Sequence, residues 1–209
     1  VLADYFNVQS QEPDFAADYT ANEAKFATTP AAQSGFGRLQ EVYEAGHLNE
    51  DFGAASFNDG MRMVANGEGV HYPMLTFSLA TIQQNYPDRI DDVGFFAQPG
   101  DSASANGLTI WLPAATYIPQ SSENIEAAKD FLNFMASVEG CEAIVAANGA
   151  TGPMLVDGCE LPDSVPTAVS QMLPYFTEEG RTAPALEFLS PVKGPALEQL
   201  TVEVGSGIR

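Results

Sequence analysis

The chain has 209 residues, with 8 basic and 28 acidic side chains and a formal net charge of −20. That balance excludes nucleic acid as a partner, because phosphate binding needs a basic footprint. A hydrophobic share of 45% argues for a packed core over disorder, and no run reaches the roughly 18 apolar residues of a membrane helix.

Residues 1–30 are weakly patterned, with Tyr5, Phe6, Phe15, Tyr19 and Phe26 scattered among acids and small residues. They read as irregular structure or short helices, with Lys25-Phe26-Ala27 as an ordered edge. No charged-then-apolar leader precedes them, as in a mature exported protein or a fragment, and the expected start of the domain lies upstream. Ser34 to Ala45 reads as an amphipathic helix with Phe36, Leu39, Val42 and Tyr43 on one face and Gly46 at its end. A second helix is expected from Ser56 as N-cap, with Asp59 completing a capping box, Phe57, Met61 and Val64 as its stripe, and Asn66-Gly67 as its stop.

Next come Val70 to Met74 as a short strand, Thr76 to Asn85 as a helix, and Val93 to Ala97 as another strand stopped by Pro99-Gly100. The junction at Met74, Leu75, Thr76 and Phe77 is where open α/β sheets hold ligands. Leu108 to Leu112 and Thr116 to Pro119 read as extended, interrupted at Pro113. A helix from Asn124 to Ala136 is expected to bury Ile125, Ala128, Phe131, Leu132 and Met135. Ser137 caps the next helix, which ends at Asn148-Gly149. Gly152 to Pro166 is loop, Thr167 to Phe176 helix, and Gly180 a turn. Pro184 to Leu189 reads as a short helical piece, and Pro195 to Val204 as the last helix, with Pro195 at its first position. The order is α/β or α+β with few strands for its length.

Cys141 and Cys159 are the two cysteines. They read either as a disulfide closing a short loop in an exported protein or as two buried free thiols. His47 and His71 have no carboxylate or cysteine at ligand spacing, so no metal site is expected. The pairs Glu178-Glu179 and Asp91-Asp92 read as solvated, since neighbouring acids on one loop do not span a scissile bond. No nucleophile elbow, phosphate loop or zinc-protease motif appears, so neither catalysis nor a cofactor is expected.

Four segments, in order, carry a family resemblance. They are Gly35 to Asn49 (GFGRLQEVYEAGHLN), Asp59 to Met74 with Gly67-Glu68-Gly69-Val70-His71-Tyr72-Pro73-Met74, Asp92 to Gly100 (DVGFFAQPG), and Ile118 to Leu132 (IPQSSENIEAAKDFL). Together, across residues 35–150, the chain resembles the extracellular solute-binding proteins of ABC importers, in the carbohydrate group that includes maltodextrin-binding proteins. The resemblance implies an α/β, periplasmic-binding-protein-like (type II) fold of two hinged lobes. Residues 1–107 would be an incomplete second (C-terminal) lobe, 108–162 a crossover with helices of the first, and 163–209 return helices of the second.

It also implies a non-catalytic receptor, periplasmic or lipid-anchored at the outer face of the cell membrane. Such a receptor captures a sugar or oligosaccharide in an interlobe cleft and delivers it to a membrane permease. A truncated lobe would expose apolar surface, so pairing between fragments or a domain swap is a further expectation. The alternatives are a secreted carbohydrate-active enzyme and a non-catalytic cell-surface domain.

Sugar recognition needs aromatic faces for C–H patches and planar polar groups for hydroxyls. Phe77 stands where the resemblance puts a cleft aromatic, and core packing is its other reading; Met74 and Thr76 flank it. Trp111, the only tryptophan, lies beside Asn106 and Gly107 in the crossover, where either a cleft role or core packing accounts for it. Asn106 offers a donor and an acceptor, although Asn-Gly is also a turn signal. Tyr117 and Lys193 are ligand-binding candidates from chain position alone. Near the last helix, where the family often has an aromatic, Val192-Lys193-Gly194-Pro195 supplies none.

Overall fold

The computed structural model describes residues 4–103, 106–112, 115–194 and 196–208. In chain order its helices are α1 (Tyr5–Gln11), α2 (Phe15–Thr20), α3 (Pro30–Glu44), α4 (Phe57–Asn66), α5 (Ser78–Asn85), α6 (Ile125–Met135), α7 (Val138–Asn148), α8 (Thr167–Thr177), α9 (Leu186–Leu189) and α10 (Leu197–Gly205). A 3-10 helix, Pro87–Asp92, follows α5, and two strands, β1 (Leu108–Ile110) and β2 (Thr182–Pro184), form a parallel pair. The backbone divides into two compact units. The first comprises Val1–Ala55, Ala97–Trp111 and Thr177–Arg209; the second comprises Ser56–Phe96 and Leu112–Phe176. These cuts differ from those expected after residues 107 and 162, because 56–96 and 112–176 share contacts that segment order alone does not disclose.

In the first unit, the weakly patterned N-terminal stretch supplies the core. Tyr5, Val8, Phe15 and Ala16 are buried with Ala32 of α3 and Leu186 of α9, and Tyr19, Ala24 and Phe26 pack on them. Phe15 stacks on Tyr19 at 5.7 Å between ring centroids and meets Phe26 edge-on at 5.4 Å. Offset and edge-to-face pairs suit the ring quadrupole, and here they stand in for a sheet in holding short helices together. α3 begins four residues earlier than expected, with Pro30 at its first position. Its buried residues are Ala31, Ala32 and Gly35, whereas Val42 and Tyr43 are exposed. Small residues bring the start of this helix close to the core, while Phe36 and Leu39 are half-buried and only Val42 and Tyr43 of the expected stripe are left outward.

β1 and β2 pair in the register Leu108 with Thr182, Thr109 with Ala183 and Ile110 with Pro184. Pro184 has no N–H to donate. The flanking bonds are Leu108 N–H to Arg181 O and Ala185 N–H to Ile110 O, both 2.8 Å. α1 joins this pair through the Phe6 N–H, which donates to Thr109 Oγ1 at 2.9 Å. Arg38 of α3 donates to Asp4 at 2.6 Å and to Asp101 at 3.1 Å. Burial pushes the Asp4 carboxyl above its ordinary range, although its hydrogen bond with Asn7 and the Arg38 guanidinium pull the other way.

In the second unit, α4 has the expected start and stop. Ser56 accepts from the Asp59 N–H while the Asp59 side chain accepts from the Ser56 N–H, and Gly67 closes the helix in the left-handed region at φ 73°. Ser137 likewise caps α7 by accepting from the Gly140 N–H, and the helix ends at Asn148. A disulfide joins Cys141 of α7 to Cys159, with Cα atoms 6.3 Å apart. It ties the helix to the proline-rich loop that precedes α8.

Two expected strands are absent: Val70 to Met74 and Val93 to Ala97 are irregular. Val70 is 85% exposed, and Pro73 lacks the N–H that a ladder needs. A short apolar run becomes a strand only where a partner edge exists. α6 has no fully buried residue. Ile125, Ala128, Leu132 and Met135 are half-buried as one face, but Phe131, expected inside, is 58% exposed. Pro113 and Pro195 lie outside the described residues. The last helix starts at Leu197, after Ala196 in the left-handed region.

Candidate functional site

The aromatic side chains around the start of α5 are positioned by one close contact. A Cβ on Gly60 of α4 would come within 2.5 Å of the Tyr72 ring, so glycine lets that ring lie against the helix where a larger residue would push its tip aside. The Tyr72 hydroxyl donates to Phe57 O at 3.3 Å, and burial pushes it above the usual phenol range. Tyr72 thereby holds the irregular segment 71–77 along α4.

Phe77, the residue before α5, is laid on Phe57, the first residue of α4. The two rings stack at 5.7 Å with 28° between their planes. Both stay accessible, Phe57 at 39% and Phe77 at 42%. Met74, three residues before Phe77 in the chain, is 37% exposed. Thr76 is half-buried, and its carbonyl accepts from the Leu79 N–H at 3.0 Å in the turn that opens α5.

Polar groups sit on the same helix. Asp59 is held below the usual carboxylate range by the Ser56 hydroxyl, then by the Ser56 backbone N–H. Arg62 donates to both Glu68 oxygens at 2.7 and 2.5 Å. The accessible faces of the two rings offer an apolar platform, which suits a ligand with a C–H face.

The other candidates are distributed as follows. Asn106 and Trp111 flank β1 in the first unit. The Asn106 carbonyl accepts from Arg181 Nε at 2.6 Å, while its side-chain oxygen is buried without a hydrogen-bond partner. Trp111 is 42% exposed, so it is not a core residue of its own unit. Lys193 is exposed in the first unit and Tyr117, 84% exposed, in the second. Met74, Thr76 and Phe77 are therefore the only predicted ligand residues gathered at one place within a unit, apart from the Asn106–Trp111 stretch.

Phe57 was missed as a partner, being assigned to a helix stripe expected to face inward. Its signal was its place directly after the N-cap, where a helix's first turn often stays open to solvent. Among the described residues, no group of three or more His, Cys, Asp and Glu side chains is placed to hold a metal ion. No helix there is long and apolar enough to cross a membrane. Comparison with known proteins matches no family model, no curated protein and no solved structure.

Proposed function

We propose that the protein is a non-catalytic, extracytoplasmic receptor of an ABC importer with a type II binding-protein fold. It captures a sugar or oligosaccharide in the interlobe cleft that the resemblance implies and passes it to a membrane permease. The observation that carries the sugar reading is the Phe57–Phe77 stack. These two rings are held in fixed geometry and yet stay open to solvent. A ring face left accessible at a defined angle covers the C–H side of a pyranose at little cost in conformational entropy. The Cys141–Cys159 disulfide supports an oxidising location outside the cytoplasm.

The test is calorimetric titration of the chain with maltose and longer maltodextrins, followed by a saccharide array. Saturable binding that falls about tenfold in Phe77→Ala is the expected result, a loss of about 1.4 kcal/mol. No binding to any saccharide, or binding indifferent to Phe77 and Phe57, overturns the reading.

A further inference from the structure

A cavity of about 300 Å³ in the second unit lies where α5 meets the end of α7 and the loop before α8. Three features give it one chemical character. The first is the helix end. Among the described residues, the last N–H to bond back into α7 is that of Gly149, to Val145 O at 2.8 Å. Ala146, Ala147 and Asn148 all line the cavity, and their carbonyls are left without a helical donor. They carry the negative end of the helix dipole, and no basic residue stands in the last turn to offset it.

The second feature is a buried acceptor. Gln83 of α5, also in the lining, has its Oε1 buried without a hydrogen-bond partner. That oxygen lies against Gly149, where φ is 79° and where an added Cβ would collide with it. A buried acceptor left unpaired costs free energy that a ligand's donor returns. The third feature is the remaining wall. Pro162 and Pro166 have no N–H to offer, and the Cys141–Cys159 disulfide ties the segment before them to α7. Gln84 donates to Asn148 Oδ1 at 3.4 Å, which joins α5 to the same helix end. None of the lining residues is charged, while the chain as a whole carries −20.

We infer that this cavity binds a primary ammonium group on a short alkyl stem. Its N–H donors meet Gln83 Oε1 and the carbonyls that end α7, and its stem lies on Val145 and the two prolines. An alkylammonium brings three donors and no acceptor, and its charge is favoured at a helix C-terminus. A divalent ion is a poor match, because calcium and magnesium sites draw on carboxylates. The cavity shares no residue with the Phe57–Phe77 platform and does not depend on it.

Nitrogen-15 correlation spectra of the full chain, titrated with n-butylammonium chloride at constant ionic strength, test the inference. The expected result is saturable shifts at the Gln83 side-chain amide and the Gly149 and Ala150 backbone amides, unchanged in Phe77→Ala. Tetramethylammonium chloride, which has the charge but no N–H, should give none. Gln83→Leu removes the acceptor, and affinity should fall about tenfold, as for a lost hydrogen bond to a charged group. Gln83→Glu sets a carboxylate against the ammonium and should raise affinity, which keeps the inference testable if Gln83→Leu fails to fold. No saturable shift, or equal shifts with tetramethylammonium or potassium chloride, overturns the proposal. So does an affinity that a folded Gln83→Leu leaves intact or that Gln83→Glu fails to raise.

Discussion

Two groups of aromatic rings show how the same side chain acquires opposite roles. In the first unit, Tyr5, Phe15, Tyr19, Phe26 and Phe36 form a chain of ring contacts, each pair between 5.4 and 6.4 Å apart. Phe15 at its centre is 2% exposed. In the second unit, Phe57 and Phe77 touch at a similar distance but have open faces. Ring contact alone does not make a core; closure by neighbours on all sides does. The first group holds a unit together, whereas the second is a surface whose order is supplied from behind by Tyr72 and Gly60.

Breaking the first group is expected to have the largest effect. Phe15→Ala should destabilise the protein by about 3–5 kcal/mol, as for other buried Phe deletions. The measurement is chemical denaturation followed by circular dichroism, and a loss near zero would mean the ring cluster is not a cohesive core. Next in size is the disulfide, which ties α7 to the loop before α8 in the second unit. Replacing both Cys141 and Cys159 with alanine should cost about 3 kcal/mol, given the loop it closes. Reducing agent should do the same to the native chain and leave the double variant unchanged.

A smaller effect is expected at the capping box that starts α4 under the open pair. Ser56→Ala should cost about 1 kcal/mol. Asp59, held below its ordinary range by Ser56, binds a proton less readily folded than unfolded. Its contribution is thus present above the usual carboxylate range and lost as pH falls through its lowered value. Acid titration of helicity should accordingly show a transition at acid pH that shrinks in Ser56→Ala.

The smallest change in stability belongs to the open pair itself. Phe77→Ala should cost about 0.5–1 kcal/mol, since it removes one ring contact and little burial. A cost comparable with Phe15→Ala would turn Phe77 back into a core residue and remove the ground for the sugar platform.

Helix ends were legible in the sequence because they are made locally. Ser56 with Asp59, Gly67, Ser137 and Asn148-Gly149 each satisfy or terminate backbone hydrogen bonds within a few residues, so their chemistry is written in consecutive letters. Of the extended segments, Leu108 to Leu112 contains β1, but two others did not become strands. Val70 to Met74 and Val93 to Ala97 have the apolar content of strands, but a strand is defined by an edge elsewhere in the chain, and they lack one. The same reason hid the N-terminal core, whose residues share no period and are closed over by Ala32 of α3 and Leu186 of α9.

At the candidate site, the sequence proposed Phe77, Met74 and Thr76 from the resemblance and their place before a helix, and it named the cysteines as possible partners. Only the tertiary structure decided that Phe57 turns outward onto Phe77, that Phe131 stays exposed on α6, and that the Tyr72 ring lies against Gly60. Caps and turns are short-range hydrogen-bonding problems with few solutions. Burial instead depends on which distant segments arrive alongside, and no local pattern of residues encodes that.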